Sequence, residues 1–262
     1  MIGFYLKKNF CDGWDNMLQM LVVNLVFMLY VAAAFFAVSA VAAHNTGIGI
    51  LLSIAAIGGG MILVFAYGAN AAAIANFESL SLKDFFAAIP GCAKDGFLFG
   101  VIVGVIFTAG FVGIPGYLSM HSMVGLALAI VLFWLELLAV LSLQWFLPIR
   151  SLMHNDFKKC LKKCFIIFFD NTGFSIFIAL YSLFLMVFSV LLFFLLPSVT
   201  GVILAHVNAL RLRLYKYDWL EKHPELKTRK DQKNIPWDEL LQEDKDILGP
   251  RKFKSFIFPW KE

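Results

Sequence analysis

The sequence predicts an all-α membrane protein, a bundle of six transmembrane helices paired as three hairpins, with short amphipathic lead-in helices on the cytoplasmic side. Two observations lead to this prediction. The 22 Lys and Arg residues fall into four clusters, and almost uncharged apolar stretches separate the clusters. Each stretch is longer than the roughly 20 residues that one crossing needs, so each is expected to cross twice. The stretches are Leu18 to Ala75, Phe97 to Leu147 and Phe174 to Leu210.

The basic clusters predict the orientation. Cytoplasmic segments of membrane proteins are enriched in Lys and Arg, so the clusters and both chain ends are expected in the cytoplasm. A net charge of +4 suits anionic lipid headgroups and does not indicate nucleic acid as a partner. The clusters are Lys7 and Lys8; Lys83 and Lys94; Arg150 with Lys158, Lys159, Lys162 and Lys163; and thirteen residues from Arg211 to Lys261.

The composition supports a membrane location. Hydrophobic residues make up 60% of the chain and charged residues 15%, far from the balance of a soluble domain. The first apolar stretch is too long for a signal peptide, so the N-terminus is expected to be retained. The cysteines lie on the predicted cytoplasmic side, where reduced thiols rather than disulfides are expected. They are Cys11, Cys92, Cys160 and Cys164.

Two hairpins have clear external turns, at residues 44–47 and 119–122, neither of which carries Lys or Arg. Their predicted spans are Leu18 to Ala43, Ile48 to Ala75, Phe97 to Leu118 and Met123 to Leu147.

The third hairpin is less clear. Phe174 to Leu196 makes one good span, whereas Val202 to Leu214 is short for a second unless the region of Pro197 begins it inside the bilayer. Five spans with an external tail is the competing topology. Because that topology would export thirteen basic residues, six spans are preferred. The predicted division is a transmembrane domain over residues 1–216 and a cytoplasmic tail over 217–262.

A five-residue pattern precedes each hairpin. It reads LKKNF from Leu6, LKDFF from Leu82 and LKKCF from Leu161, with starts 76 and 79 residues apart. Duplicated units produce such repeats; so does chance, because Lys and Phe are common beside membranes. A surface helix is expected over Ser81 to Ala88, with Ser81 and Asp84 as a capping pair, and similar helices near residues 3–10 and 161–169.

Small residues mark predicted packing faces. Gly96, Gly100 and Gly104 share one helix face, and Gly68 with Ala72 form another. Such faces let helix backbones approach each other; packing within the chain is the main expectation and a dimer contact the lesser one. The run Gly58 to Gly60 predicts a kink or a discontinuous helix.

Glu136 is the strongest candidate for chemistry inside the membrane. It lies near the middle of its span, where a carboxylate costs about 2.5 to 3.5 kcal/mol and should face the bundle. It is interpreted either as a proton relay or polar substrate contact, or as a protonated acid that sets helix register. The intramembrane polar candidates that would join it are His206, Asn208, Asn24 and Asn70.

Nothing in the sequence indicates an enzyme, a metal site or a cofactor, since the nucleotide, zinc-protease and hydrolase motifs GxxxxGK[ST], HExxH and GxSxG are absent. The tail after Lys216 carries an amphipathic stretch near Trp237 and an aromatic, basic terminus, which suit either headgroups or partner docking. Candidate docking residues are Asp84, Phe85, Phe86, Trp237, Phe256 and Trp260.

Two segments resemble the YesL-like family of bacterial membrane proteins. One runs from Gly68 to Gly100 and contains the DFF motif of Asp84, Phe85 and Phe86; the other is Leu195 to Leu214. The resemblance covers about residues 15 to 215 in layout, and the tail departs from it. It implies a place in the cytoplasmic (inner) membrane of a bacterium and an accessory or assembly role beside ABC-type carbohydrate uptake systems. Transporter subunits or other membrane proteins would be its partners, besides the lipid bilayer.

The expected function is therefore that of a non-enzymatic accessory of a bacterial solute uptake system. The alternative is a transporter or channel in its own right, which needs a polar path near Glu136 formed with the other four polar candidates. An intramembrane enzyme ranks last, because only Glu136 with His206 would supply two titratable groups at one depth.

Overall fold

The computed structural model describes residues 1–78, 81–225 and 235–251, and all regular elements in those ranges are helical. A π-helical turn, Ala109–Gly113, joins α4 to α5 without a break. The helices are α1 (Ile2–Asp15), α2 (Met17–Ala42), α3 (Thr46–Ala75), α4 (Leu82–Thr108), α5 (Ile114–Leu118), α6 (Met123–Leu143), α7 (Phe146–Met153), α8 (Phe157–Asp170), α9 (Thr172–Leu191), α10 (Ser198–Lys222), α11 (Trp237–Leu240) and α12 (Gln242–Leu248).

Five helical segments of the described chain are long and apolar enough to cross a membrane, so the protein is a multi-pass membrane protein. Large apolar side chains on these segments point away from the protein; Leu29, Phe36 and Phe111 are 72%, 72% and 77% exposed. Lipid would cover these side chains. The segments are Met17–Ala42, Thr46–Ala75, Leu82–Leu118, Met123–Met153 and Thr172–Leu191.

The predicted sixth crossing is not among these five segments. It corresponds to α10, whose second half carries Arg211, Arg213 and Lys216. The first half is buried by neighbouring helices, and it includes Thr200, Gly201 and Ala205. Because this half packs against protein rather than lipid, small and polar residues are tolerated on its surface. The polar residues His206, Asn208, Arg211 and Arg213 make α10 less apolar than the five candidate spans.

Helix α10 runs antiparallel to α9. The backbone N–H of Ser198 donates to Ser189 Oγ at 2.7 Å at one end. At the other end Lys216 Nζ lies 2.9 Å from Asp170 Oδ2. The two helices therefore lie side by side along the whole of α9.

The glycine face of α4 packs against the backbone of α3. A Cβ placed on Gly96 would lie 2.9 Å from Ile62 Cα, and one on Gly100 would lie 2.5 Å from Gly58 Cα. Gly104 has Ile54 at 3.2 Å. The packing predicted within the chain is confirmed for this face, since only glycine permits such an approach.

Gly68 and Ala72 pack in a similar way. A Cβ on Gly68 would lie 2.5 Å from Leu147 Cδ1 and 2.9 Å from Ser151 Oγ, both contributed by α7, and Ala72 is buried. This face also serves contacts within the chain.

Helix α3 continues through Gly58 to Gly60, so the discontinuous helix predicted there as the alternative to a kink is wrong. Each glycine instead makes room for an aromatic ring. Phe97 lies against Gly58, and Tyr30 lies against Gly59 and Gly60. The hydroxyl of Tyr30 donates to the carbonyl oxygen of Ala56 at 2.6 Å.

Two predicted lead-ins form separate helices, and the third does not. Helices α1 and α8 have 14 residues each, and a single asparagine, Asn16 or Asn171, separates each from the next helix. The short helix expected at Ser81 to Ala88 is instead the first part of α4, which continues through Pro90. The predicted capping box is confirmed, with Ser81 N–H donating to Asp84 Oδ2 at 2.7 Å.

The repeat extends to the pattern of burial. Three of the five buried residues of α1 have a buried counterpart 155 positions later in α8, as 160 − 5, 164 − 9 and 167 − 12 show, whereas Lys163 is half-buried and Ile166 is exposed. The pairs are Tyr5 with Cys160, Asn9 with Cys164 and Asp12 with Ile167.

The same register continues into α2, α4 and α9. Offsets of 76 and 155 residues relate Met20 to Gly96 and Ser175, all of which are buried. The same offsets relate Val23 to Phe99 and Ile178, which are also buried. Duplicated units would share buried positions, but so would any two helices that each bury one face, so burial does not separate duplication from chance.

The described part of the tail packs on the bundle. Leu241 and Leu248 are 1% and 5% exposed, and Asp244 accepts hydrogen bonds from Arg211 and Tyr215 of α10. The predicted boundary after Lys216 falls inside α10 rather than at a helix end.

Candidate functional site

Glu136 faces the π-helical turn. A Cβ built on Gly110, the second residue of that turn, would overlap the Glu136 carboxylate. Glu136 is partly buried, and within the described residues no hydrogen bond or ion pair links it to another side chain. Helices with π turns frequently carry functional sites. The structure thus places the acid against backbone on the neighbouring span rather than in a polar cluster.

His206 belongs to a different group. Its Nδ1 lies 2.9 Å from the carbonyl oxygen of Val202, one turn earlier in α10. Its Nε2 lies 3.3 Å from Gln144 Oε1 and 3.4 Å from Ser182 Oγ. Gln144 also donates to the carbonyl oxygen of Ser175 at 3.1 Å. These contacts join α10 to α9 and to the junction of α6 and α7.

Asn24 holds the beginning of α10. Its Nδ2 donates to the carbonyl oxygens of Leu195 and Pro197, at 2.8 and 3.1 Å. Its Oδ1 accepts from the backbone N–H of Thr200 at 3.2 Å. An N–H in the first turn of a helix has no partner within the helix, so this bond compensates for its burial. Asn24 therefore has a structural role, with both ends of its amide in use.

Asn208 contacts a buried ion pair, Lys8 with Asp12, at the end of the bundle where α1 and α8 lie. Its Nδ2 donates to Asp12 Oδ2 at 2.9 Å and to Asn9 Oδ1 at 3.3 Å. Lys8 Nζ lies 3.0 Å from Asp12 Oδ2 and 3.6 Å from the centre of the Phe77 ring. Side chains from α1 and α10 thus form one polar cluster beneath the ring of Phe77.

Burial dominates the electrostatics of this pair. It lowers the pKa of Lys8 and raises that of Asp12, and the attraction between the two groups opposes both shifts. Lys8 is only 1% exposed. A buried pair of this kind is stable only while both members remain in place, because either charge alone would be desolvated without compensation.

Asn70 is buried and its amide nitrogen has no hydrogen-bond partner in the described chain. The five intramembrane polar candidates therefore do not converge. Asn24, His206 and Asn208 each bond to a different set of neighbours, and Glu136 lies on the π turn. The polar path predicted for a transporter is not found among these residues, because their hydrogen bonds connect helices locally.

Sequence reasoning missed a second ion pair, beside a cavity of about 320 Å³ between α3, α4 and α7. Arg150 Nε donates to Asp95 Oδ2 at 2.9 Å. Small residues, among them Ala69 and Ala73, line the cavity, and Glu78 and His154 add polar groups.

An aspartate lies near each lead-in, although the three are not at matching positions of the repeat. Each forms an ion pair: Asp12 with Lys8, Asp95 with Arg150, and Asp170 with Lys216. The partner comes from the same helix in the first case and from a later helix, α7 or α10, in the other two. Only the tertiary structure identifies these partners.

The candidate docking residues have different environments. Phe85 is fully buried, so its proposed place on a docking surface is wrong; it packs in the core because it faces into the bundle. Phe86 is 50% exposed, and Asp84 is exposed but bonded to Ser81. Trp237 is partly buried against the core. Phe256 and Trp260 lie outside the described residues.

Comparison of the chain with protein family models, with characterised proteins and with solved structures finds no match. The resemblance to the YesL-like family therefore stays an expectation from sequence.

Proposed function

We propose that this chain is a non-enzymatic accessory or assembly protein of a bacterial solute uptake system, with carbohydrate as the solute class that the YesL-like resemblance implies. The observation that carries this proposal is the use of the polar groups. Asn24 hydrogen-bonds to the first turn of α10, and Asn208 of α10 hydrogen-bonds to Asp12 of the Lys8–Asp12 pair. Polar side chains whose hydrogen bonds go to neighbouring helices stabilise a fixed bundle. Few polar groups then remain to line a transport path or to catalyse a reaction.

The proposed topology has six crossings, with α10 as the sixth, both chain ends in the cytoplasm and the bundle in the inner membrane. Two observations support it. The contacts between α9 and α10 are antiparallel and run from Ser189 with Ser198 at one end to Asp170 with Lys216 at the other. The basic residues gather at the end of the bundle where α1 and α8 lie. A helix buried by protein needs less apolar surface than one that faces lipid.

The proposed partners, besides lipid, are membrane subunits of an ABC-type transporter. Phe86 offers an exposed aromatic ring for such a contact, beside the exposed Asp84. Aromatic side chains are enriched in protein interfaces, and loss of one that is central to a contact weakens binding strongly.

Affinity purification from the native bacterium in a mild detergent tests this function. Wild type should co-purify defined subunits of a solute uptake system, identified by mass spectrometry, and Phe86→Ala should lose them. Phe36→Ala is the matched control, since Phe36 is 72% exposed on a lipid-facing span far along α2. If no uptake subunit co-purifies with wild type, and deletion of the protein leaves sugar uptake unchanged, the proposal is wrong.

Transport by the protein itself is the second candidate function. It is favoured by one observation, the contact between Glu136 and a π-helical turn. The response to neutralising Glu136 separates the two functions.

A further inference from the structure

Helix α8 presents a charged and aromatic face away from the protein. Its opposite face is buried and contains Cys160, Cys164, Ile167 and Phe168. The outward face has lysines in its first half and large apolar residues in its second. The lysines are Lys158, Lys159, Lys162 and Lys163, and the apolar residues are Phe165, Ile166 and Phe169, which are 38%, 55% and 62% exposed.

The position of α8 puts this face at the membrane boundary. Asn171 alone separates α8 from α9, the candidate span that begins at Thr172. The apolar half of the outward face is the half closer to the span. If α8 lay in water, three large apolar side chains would be exposed to solvent; at the membrane surface, lipid covers them.

The charge of this face is largely uncompensated by protein. Lys159 pairs with Asp156 at 3.1 Å, but their side chains are 68% and 78% exposed, which makes the pair weak. Lys163 Nζ has Met153 Sδ as a neighbour at 3.9 Å. In the part of the chain that the structure describes, no ion pair engages Lys158 or Lys162.

The repeat provides an internal comparison. The residues 155 positions before Lys162 and Lys163 are Lys7 and Lys8 of α1. Lys7 donates to the carbonyl oxygen of Gly249 at 3.0 Å, and Lys8 is buried with Asp12. The lysines of α1 thus contact protein, whereas Lys162 is exposed and Lys163 is half-buried beside Met153.

We propose that the outward face of α8 is a binding site for anionic phospholipid headgroups. The lysine ammonium groups bind the lipid phosphates, and Phe165, Ile166 and Phe169 insert among the upper acyl carbons. Aromatic and apolar residues beside lysines are the usual composition of a helix in the membrane interface, and each lysine there adds attraction to anionic lipid.

The test uses the full chain, purified in a non-ionic detergent and titrated with phosphatidylglycerol or phosphatidylcholine, with bound lipid counted by native mass spectrometry. Phosphatidylglycerol should bind the wild type more tightly than phosphatidylcholine. Lys158→Gln/Lys162→Gln should weaken phosphatidylglycerol binding by about fivefold for each lysine removed, and the preference should fade at high salt. Lys158→Arg/Lys162→Arg, which keeps the charge, should bind as wild type does.

The matched control is Lys83→Gln/Lys222→Gln, which removes two exposed lysines outside α8 and leaves the net charge equal to that of the test variant. Unfolding temperatures without added lipid check that both variants fold. If the control loses as much affinity as the test variant, or if inorganic phosphate competes as well as the lipid does, α8 is not a phospholipid site.

Discussion

The carboxylate of Glu136 occupies the space beside Gly110 that the side chain of any other residue at position 110 would need. Gly110 belongs to the π-helical turn Ala109–Gly113, and Glu136 lies on the antiparallel neighbour α6. The acid and the glycine therefore form one packing unit.

Gly110→Ala tests this packing unit. The added methyl group should displace the Glu136 side chain and destabilise the protein by about 1 to 3 kcal/mol, the usual cost of overpacking. Gly116→Ala in the same candidate span is the control, because its Cβ would meet nothing within 4 Å. Thermal unfolding of both variants in detergent measures the difference. Equal unfolding temperatures for the two variants would contradict the contact.

Glu136→Gln distinguishes the accessory function from transport. The amide keeps the shape of the carboxyl group, and no hydrogen bond from another side chain within the described residues is lost, so folding and any uptake phenotype should be nearly unchanged. Glu136→Leu should destabilise only modestly. Expression level, unfolding temperature and pH-dependent uptake are the measurements. Normal expression of the Gln variant with loss of pH-dependent uptake would favour a proton-coupled transporter, because a relay needs a group that titrates.

Gly100 should be intolerant of even a small side chain. A Cβ added at this position would lie 2.5 Å from the Cα of Gly58, and a backbone atom cannot move aside as a flexible side chain can. Gly100→Ala should therefore lower the unfolding temperature clearly. Gly91→Ala in the same helix has nothing within 4 Å of the new methyl group and should be neutral or slightly stabilising. If both variants unfold alike, α3 and α4 do not approach as closely as described.

Sequence alone identified the five long apolar helical segments, the glycine face of α4 and the capping box, because each of these depends on residues close together in the chain. It did not identify the environment of α10, since only the tertiary structure shows that α3 and α9 surround it. The partners of Asp95 and Asp170 were missed for the same reason, as they lie 55 and 46 residues away.

The polar candidates illustrate a second limit. Asn24 was identified from its place in an apolar span, yet its partners are backbone groups around Pro197, which carry no sequence signal. Phe85 and Phe86 are adjacent and identical in type, and only the direction of α4 places one in the core and leaves the other 50% exposed.

Cysteine labelling tests the six-crossing topology. Thr46→Cys and Ser122→Cys should react with an impermeant thiol reagent in intact cells, because both positions lie in the predicted external turns. Gln242→Cys should react only after the cells are permeabilised, since the proposed topology leaves α12 in the cytoplasm. The unsubstituted protein gives the background from its own cysteines. Labelling of Gln242→Cys in intact cells would support five crossings with an external tail.

The buried pair of Lys8 and Asp12 should tolerate joint neutralisation better than the loss of one partner. Lys8→Met leaves the Asp12 carboxylate desolvated and unpaired, and such single losses typically cost about 3 to 5 kcal/mol. In Lys8→Met/Asp12→Asn the amide oxygen still accepts from Asn208 and no buried charge remains, so most of the stability should return. The free energies of unfolding of the wild type, the single variant and the double variant, measured in detergent, make this comparison.

The pH dependence of Lys8→Met provides a further check. Burial already raises the pKa of Asp12, and Lys8 opposes that shift. Removing Lys8 should raise this pKa further, and a raised pKa contributes stability that is present at low pH and is lost as pH rises through the folded-state value. The destabilisation by Lys8→Met should therefore be larger at about pH 8 than at about pH 5, and the double variant should show little of this dependence. A pH-independent loss in the single variant would mean that Asp12 is solvated rather than buried.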